Sequence, residues 1–127
     1  MTISKWITAG TVLKMMARQY PDKPGAGDKF RKVTFKEWNE RSCLLANALT
    51  KLGVKKGDRF AILAYNCVEW LEIYAAAAKA GQITVPIMFR LAPPEMEYVV
   101  NHAGCKAFLV SKDFVPTVNS FRNKLPS

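Results

Sequence analysis

The sequence predicts an α/β fold in three layers, a mostly parallel sheet of three to four short strands between about five helices. Three observations lead there. Short apolar runs alternate with segments whose apolar residues recur at helical intervals, the pattern of successive βαβ units. The connections between them are only a few residues long, so parallel strands must be joined by right-handed crossovers through the helices. Arg59 to Tyr65 is almost wholly apolar between Gly57-Asp58 and Asn66, as a strand covered on both faces has to be. A chain of 127 residues, half of them hydrophobic, suits a single domain over 1–127 with its own core.

Residues 1–10 are expected to be flexible or extended. Thr11 to Tyr20 then spaces Val12, Leu13, Met16 and Tyr20 as a short helix stopped by Pro21. Residues 21–29, PDKPGAGDK, have the proline, glycine and charge of a surface loop. Gly25 and Gly27 with Lys29 do not make a phosphate cradle, because no strand precedes them and the glycine-lysine-hydroxyl spacing is missing. Arg31 to Phe35 suits a brief strand, and Thr34 with Glu37 forms a capping box for a helix. That helix gathers Trp38, Leu45, Leu49 and Leu52 on one face, opposite Glu37, Glu40, Arg41 and Lys51, and ends at Gly53.

After the Arg59–Tyr65 strand, Asn66 is the natural N-cap and Gly81 the natural stop of a further helix. Glu69, Glu72 and Lys79 share its polar stripe, and Ala75 to Ala78 keep it short-sided for close packing. Ile83 to Phe89 is another strand candidate in which Pro86, having no N–H to give, marks an end or an edge. Pro93-Pro94 start a helix with Met96, Val99, Val100 and Ala103 inward, closed by Gly104. Lys106 to Val110 gives one more strand, and a last helix aligns Phe114, Val118, Phe121 and Leu125.

The formal charge of +9, from 19 basic and 10 acidic residues, raises the question of a polyanion partner. The basic residues are dispersed and cluster only at element ends, so neither nucleic acid nor an anionic membrane surface is expected. Three widely separated cysteines, Cys43, Cys67 and Cys105, have no metal-ligand spacing and suit free thiols in the cytoplasm. No apolar run has the length of a membrane span.

Candidate chemistry is sparse. His102 falls near a helix end, no serine, threonine or cysteine has a matching base, and Cys67 is better placed for packing. Glu37 serves as a cap and Glu95 sits in a first turn, where the helix dipole favours it, so no acid and base pair emerges. No catalytic, cofactor-binding or metal-ligating residue is assigned. Arg90, just past the strand ending near Phe89, is the one candidate for substrate binding, because parallel sheets bind ligands at their carboxyl ends. A surface or interdomain salt bridge is the other reading of Arg90.

The order and spacing of TFKEWNERS and LANAL (Thr34 to Leu49), GVKKGDRFAIL (Gly53 to Leu63), NCVEW (Asn66 to Trp70), AAAKAG (Ala76 to Gly81), VPI with FRLAPPE (Val85 to Glu95) and NHAGCKAFLV (Asn101 to Val110) resemble the N-terminal part of the AMP-forming acyl-CoA synthetases, in the adenylate-forming superfamily. The resemblance runs from about Thr11 to Val110. It implies a partial N-terminal subdomain of the adenylate-forming fold. It also implies a parent that uses ATP, Mg²⁺ and coenzyme A to turn a carboxylate into an acyl-adenylate and then a thioester. The FRLAPPE context leans toward fatty or aromatic carboxylates over amino acids.

The family's Ser/Thr/Gly-rich phosphate loop, its later aromatic and acidic stretch and its lid lysine have no counterpart in this sequence. The expectation is therefore an N-terminal piece of such a ligase, inactive alone, whose partner is the remainder of the synthetase chain. Self-association through an exposed sheet edge or apolar patch is also expected. The alternative is a stand-alone doubly wound binding or assembly module without catalysis.

Overall fold

The computed structural model describes residues 7–126. Helix α1, Ala9–Gln19, starts where the Thr8 hydroxyl accepts the Thr11 N–H at 3.2 Å. Helix therefore begins inside the stretch expected to be flexible or extended, and the part of that expectation on residues 1–6 lies outside the described residues. The 21–29 segment also departs from its expectation as a loop. Within it β1, Pro24–Gly27, pairs antiparallel with β2, Lys32–Thr34. Glycine here serves close approach rather than a turn, because a Cβ on Gly25 would stand 2.8 Å from Phe35 Cδ1.

Helix α2, Phe35–Lys51, opens with the expected capping box: Glu37 N–H donates to Thr34 Oγ1 at 3.2 Å and Thr34 N–H to Glu37 Oε2 at 2.8 Å. Its buried face is Ser42, Ala46 and Leu49. Leu52, expected on that face, is 76% exposed because the helix has already ended and the chain turns out through its C-cap.

The sheet order is β4-β3-β5 and all pairings are parallel. Central β3, Arg59–Leu63, stops two residues short of Tyr65; β4 is Ile83–Pro86 and β5 is Cys105–Val110. Pro86 is both the last residue of its strand and on an edge, so its missing N–H costs no ladder bond. Helix α3, Glu69–Ala80, crosses from β3 to β4, and α4, Pro93–Ala103, from β4 to β5. The left-handed residues Gly81 and Gly104 stop them as expected.

Alternate side chains of β3 fill two cores, and both faces are covered. Phe60 and Ile62 pack with Leu49, Val54 and Ala77 on the α2/α3 side. Ala61 and Leu63 pack with Ile87, Met96, Val100, Phe114 and Phe121 on the other. Burial of side chains the size of Phe60 or Ile62 is worth about 1.5–3 kcal/mol each, which makes this strand the natural centre of the chain.

The last helix is not continuous. It is a 3-10 turn at Lys112–Phe114, a five-residue α5 at Val115–Asn119, and a second 3-10 turn at Arg122–Lys124. The Ser120 hydroxyl donates to the Thr117 carbonyl at 2.6 Å, a local bond that competes with continued helix. Phe114, Val118 and Phe121 are nonetheless buried together, with Leu125 against them, as the expected stripe requires.

Candidate functional site

Because β3 and β4 run parallel, their carboxyl ends open on the same side. The Ile87 N–H donates to the Ile62 carbonyl at 2.8 Å and the Ser111 N–H to the Leu63 carbonyl at 2.9 Å, fixing where the chain leaves each outer strand. Between the exits of β3 and β4 lies an open crevice of about 560 Å³, lined chiefly by Cys67, Trp70, Tyr74, Pro86, Met88 and Phe89. Trp70 Nε1 donates to the Tyr65 carbonyl at 3.0 Å, and the Tyr65 ring lies edge-on to Phe89 at 5.0 Å and tilted on Phe114 at 4.7 Å. Met88 is 63% and Tyr65 52% exposed, so this end of the sheet presents an apolar, aromatic surface to solvent. Such a lining suits an apolar or planar ligand group.

Arg90 stands beside the crevice. It is exposed, its guanidinium carbon is 5.6 Å from the Phe89 ring centroid, and no carboxylate pairs with it among the described residues. The strand expected to reach Phe89 ends at Pro86, so Arg90 lies in a turn four residues beyond it rather than just past the strand. Sequence reasoning missed the aromatic wall itself, because Met88 and Phe89, two and three residues past Pro86, have the pattern of a continuing apolar strand.

Asn66, also in the crevice lining, is not the N-cap of α3. It lies in a bend two residues before the cap position, Val68, which has no capping side chain of its own. The Val68 N–H instead donates to Asp28 Oδ2 at 2.9 Å, from 40 residues earlier in the chain. A cap from so far away leaves no local spacing to detect. Hydrogen bonds from the Phe30, Arg31 and Val68 N–H groups hold the Asp28 carboxyl below its ordinary range.

Glu69 and Glu72 do not form a solvated stripe. The Glu72 side chain is 7% exposed and accepts from Arg41 Nε and, at 3.0 Å, Nη2, and from Arg31 Nη2 at 3.2 Å. Arg41, expected on the outer face of α2, is drawn across the interface and its charged form is strengthened chiefly by that hydrogen bond. Lys79 likewise turns inward to Asn39 Oδ1 at 2.7 Å.

The three cysteines are free and half-buried rather than fully buried. Burial, and then the neighbouring Glu69, pushes the Cys67 thiol up, which disfavours its thiolate form. His102 is exposed and stacks on Tyr98 at 5.4 Å. Among the described residues no group of three His, Cys, Asp or Glu side chains is placed to hold a metal. Gly25, Gly27 and Lys29 form no phosphate cradle, because the two glycines are in β1 and Lys29 Nζ lies over the Phe30 ring at 4.7 Å.

A family model described as AMP-binding enzyme matches residues 13–126. The chain is 35% identical over 91 residues to the long-chain-fatty-acid–CoA ligase FadD13 of Mycobacterium tuberculosis, covering 72% of this chain and 18% of that protein. It is 37% identical over 97 residues to the medium-chain-fatty-acid–CoA ligase of Ectopseudomonas oleovorans, covering 74% and 18%. Among solved structures, the N-terminal domain of FACL13 from Mycobacterium tuberculosis superposes with a TM-score of 0.87 at 30% identity, over 92% of this chain and 30% of that one. The chain spans less than a fifth of the length of these curated relatives. Family model, relatives and fold agree, and the chain belongs to the AMP-binding enzyme family, matching the N-terminal portion of its acyl-CoA synthetases.

Proposed function

We propose that this chain is the opening portion of an ATP-dependent, AMP-forming acyl-CoA synthetase and serves there as scaffold. In the parent, a carboxylate, ATP and coenzyme A give acyl-CoA, AMP and pyrophosphate, with Mg²⁺ neutralising the phosphates. One observation carries the reading: the family match takes in nearly all of this chain, residues 13–126, while the stretches aligned with the two ligases make up only 18% of each. The phosphate-binding loop and the lid lysine belong to the remainder of the synthetase, which is the chain's partner. A fatty or related carboxylate fits the names of the relatives and the apolar crevice alike. Arg90, beside that crevice, meets the substrate at the strand end. The compartment is the cytoplasm, in keeping with three free thiols and with no helix long and apolar enough to cross a membrane among the described residues.

Carboxylate-dependent pyrophosphate exchange tests this directly. The 127-residue chain is expected to give none, and a longer form containing it robust exchange that Arg90→Ala weakens. Robust exchange by the short chain would sink the proposal. Among the described residues the outer edge of β5 is unpaired, with an open hollow of about 1040 Å³ beside it. By itself the chain therefore self-associates through that edge, and light scattering that shows a clean monomer at high concentration rules this out.

A further inference from the structure

The hairpin turn from Asp28 to Arg31 grips the first turn of α3 through two side chains. Asp28 Oδ1 accepts the N–H groups of Phe30 at 2.7 Å and Arg31 at 2.8 Å, closing its own turn, while Oδ2 reaches the Val68 N–H at 2.9 Å. Arg31 Nη2 donates to Glu69 Oε1 at 2.9 Å and to Glu72 Oε1 at 3.2 Å. A carboxylate thus faces the positive end of the helix dipole, and a guanidinium faces the two acidic side chains of the first turn. The helix has no cap of its own to replace these contacts.

That same stretch carries one wall of the crevice. Cys67 immediately precedes the capped residue, Trp70 and Leu71 follow it, and Tyr74 is one turn on. The opposite wall, Met88 and Phe89, hangs on the Ile87–Ile62 backbone bond and is independent of the hairpin.

We propose that the β1–β2 turn is a strap that sets the pose of the Cys67–Tyr74 wall, with Asp28 as its positioning residue. When the Asp28 carboxylate is present, the first turn of α3 stays wound against the hairpin and the crevice keeps its width. When it is absent, that turn frays and the crevice opens on one side. The ligand fit of the crevice is then tuned by a residue that touches no ligand. This rests on the crevice being the ligand-facing side of the chain, as proposed above. Ionisation of Asp28 well below neutral pH keeps the strap closed under ordinary conditions.

The test uses Cys67 as the reporter. In a Cys43→Ser, Cys105→Ser background it is the sole thiol, and its reaction with dithiobis-nitrobenzoate is followed over a range of pH, so that access separates from thiolate fraction. Asp28→Ala is expected to speed labelling about tenfold, the factor of one charge-assisted hydrogen bond, with the far-ultraviolet dichroism unchanged. Asp28→Asn, which keeps the shape and one acceptor oxygen, falls between. Thr34→Ala removes the cap of α2 at the far end of the same hairpin, controls for general loss of stability, and leaves the Cys67 rate within about twofold.

Labelling of Asp28→Ala at the parent rate overturns the strap, as does a Thr34→Ala effect equal to that of Asp28→Ala. If Asp28→Ala does not fold, the Asp28→Asn rate decides by the same comparison. Labelling needs no nucleotide, carboxylate or coenzyme A, so failure of the strap and failure of the ligase reading give separate results.

Discussion

Replacing Glu72 by alanine removes a buried carboxylate from the contact between α2 and α3. The side chain is 7% exposed and is held by Arg41 through both carboxylate oxygens and by Arg31 at 3.2 Å. A hydrogen bond to a charged group contributes about 1.5–3 kcal/mol net, and breaking a wholly buried ion pair costs about 3–5 kcal/mol. Here the two arginine side chains are 38% and 46% exposed, so their charges recover water once Glu72 is gone. That recovery places the cost below the buried-pair range, at about 2–3 kcal/mol. Glu72→Gln keeps the shape but turns an amide N–H₂ toward a guanidinium, and is expected to cost about 1–2 kcal/mol. Urea unfolding followed by circular dichroism should show lower midpoints at unchanged slope. A double-mutant cycle with Arg41→Ala should give a coupling of about 1 kcal/mol or more. If Glu72→Ala unfolds within about 0.5 kcal/mol of the parent, or the coupling vanishes, desolvation cancels the pair and the helices are held by the Ala75–Ala77 packing and by bonds such as Lys79–Asn39.

Acid should weaken the fold in a defined direction. Backbone N–H bonds hold the Asp28 and Glu37 carboxyls below their ordinary values of 3.8 and 4.5. For Glu69 burial pulls the other way, but its backbone bond, the Cys67 thiol and Arg31 outweigh it and carry it below 4.5. A carboxyl depressed by folding contributes fully above its unfolded value and loses that contribution as pH falls through its folded one. Urea midpoints should therefore stay level near neutrality and drop below about pH 4.5, and a midpoint that rises between pH 5 and 3 contradicts these assignments. Gly81→Ala should cost about 1–2 kcal/mol, because φ is +68° there and a Cβ would stand 2.8 Å from Lys56 Cγ; an unchanged melting temperature would remove the case for a left-handed stop.

Much of this architecture is written locally. A capping box needs two residues three apart, and Thr34 with Glu37 forms the bonds its spacing announces. A strand covered on both faces must be apolar throughout, and Phe60 to Leu63 are buried to within 1%. Where the sequence misled, partners distant along the chain decided the outcome. Asn66 has the right chemistry in the right place for a cap, but the helix starts later and Asp28 supplies the acceptor from the hairpin. Glu72 falls on an apparently polar stripe, yet two arginines from earlier in the chain cover it. The crevice was least legible of all, because it is assembled from two loops whose exposed methionine and aromatics are indistinguishable in sequence from core residues.

The two ends of the sheet are built to different rules, and this bears on where ligands can be met. At the amino ends, β3, β4 and β5 are each reached within two residues of a left-handed glycine: Gly57, Gly81 and Gly104. Two of these turns are tied directly together, the Gly57 N–H donating to the Gly81 carbonyl at 2.8 Å. Such tight returns leave no room for side chains to converge on a ligand. At the carboxyl ends of β3 and β4, by contrast, residues 64–68 and 87–92 intervene before the next helix. These longer connections carry Tyr65, Cys67, Met88, Phe89 and Arg90, and only they can be re-aimed without disturbing the strands. In the function proposed above the ligand meets the carboxyl ends of β3 and β4, where these connections leave room, and the proposed strap acts on one of the two.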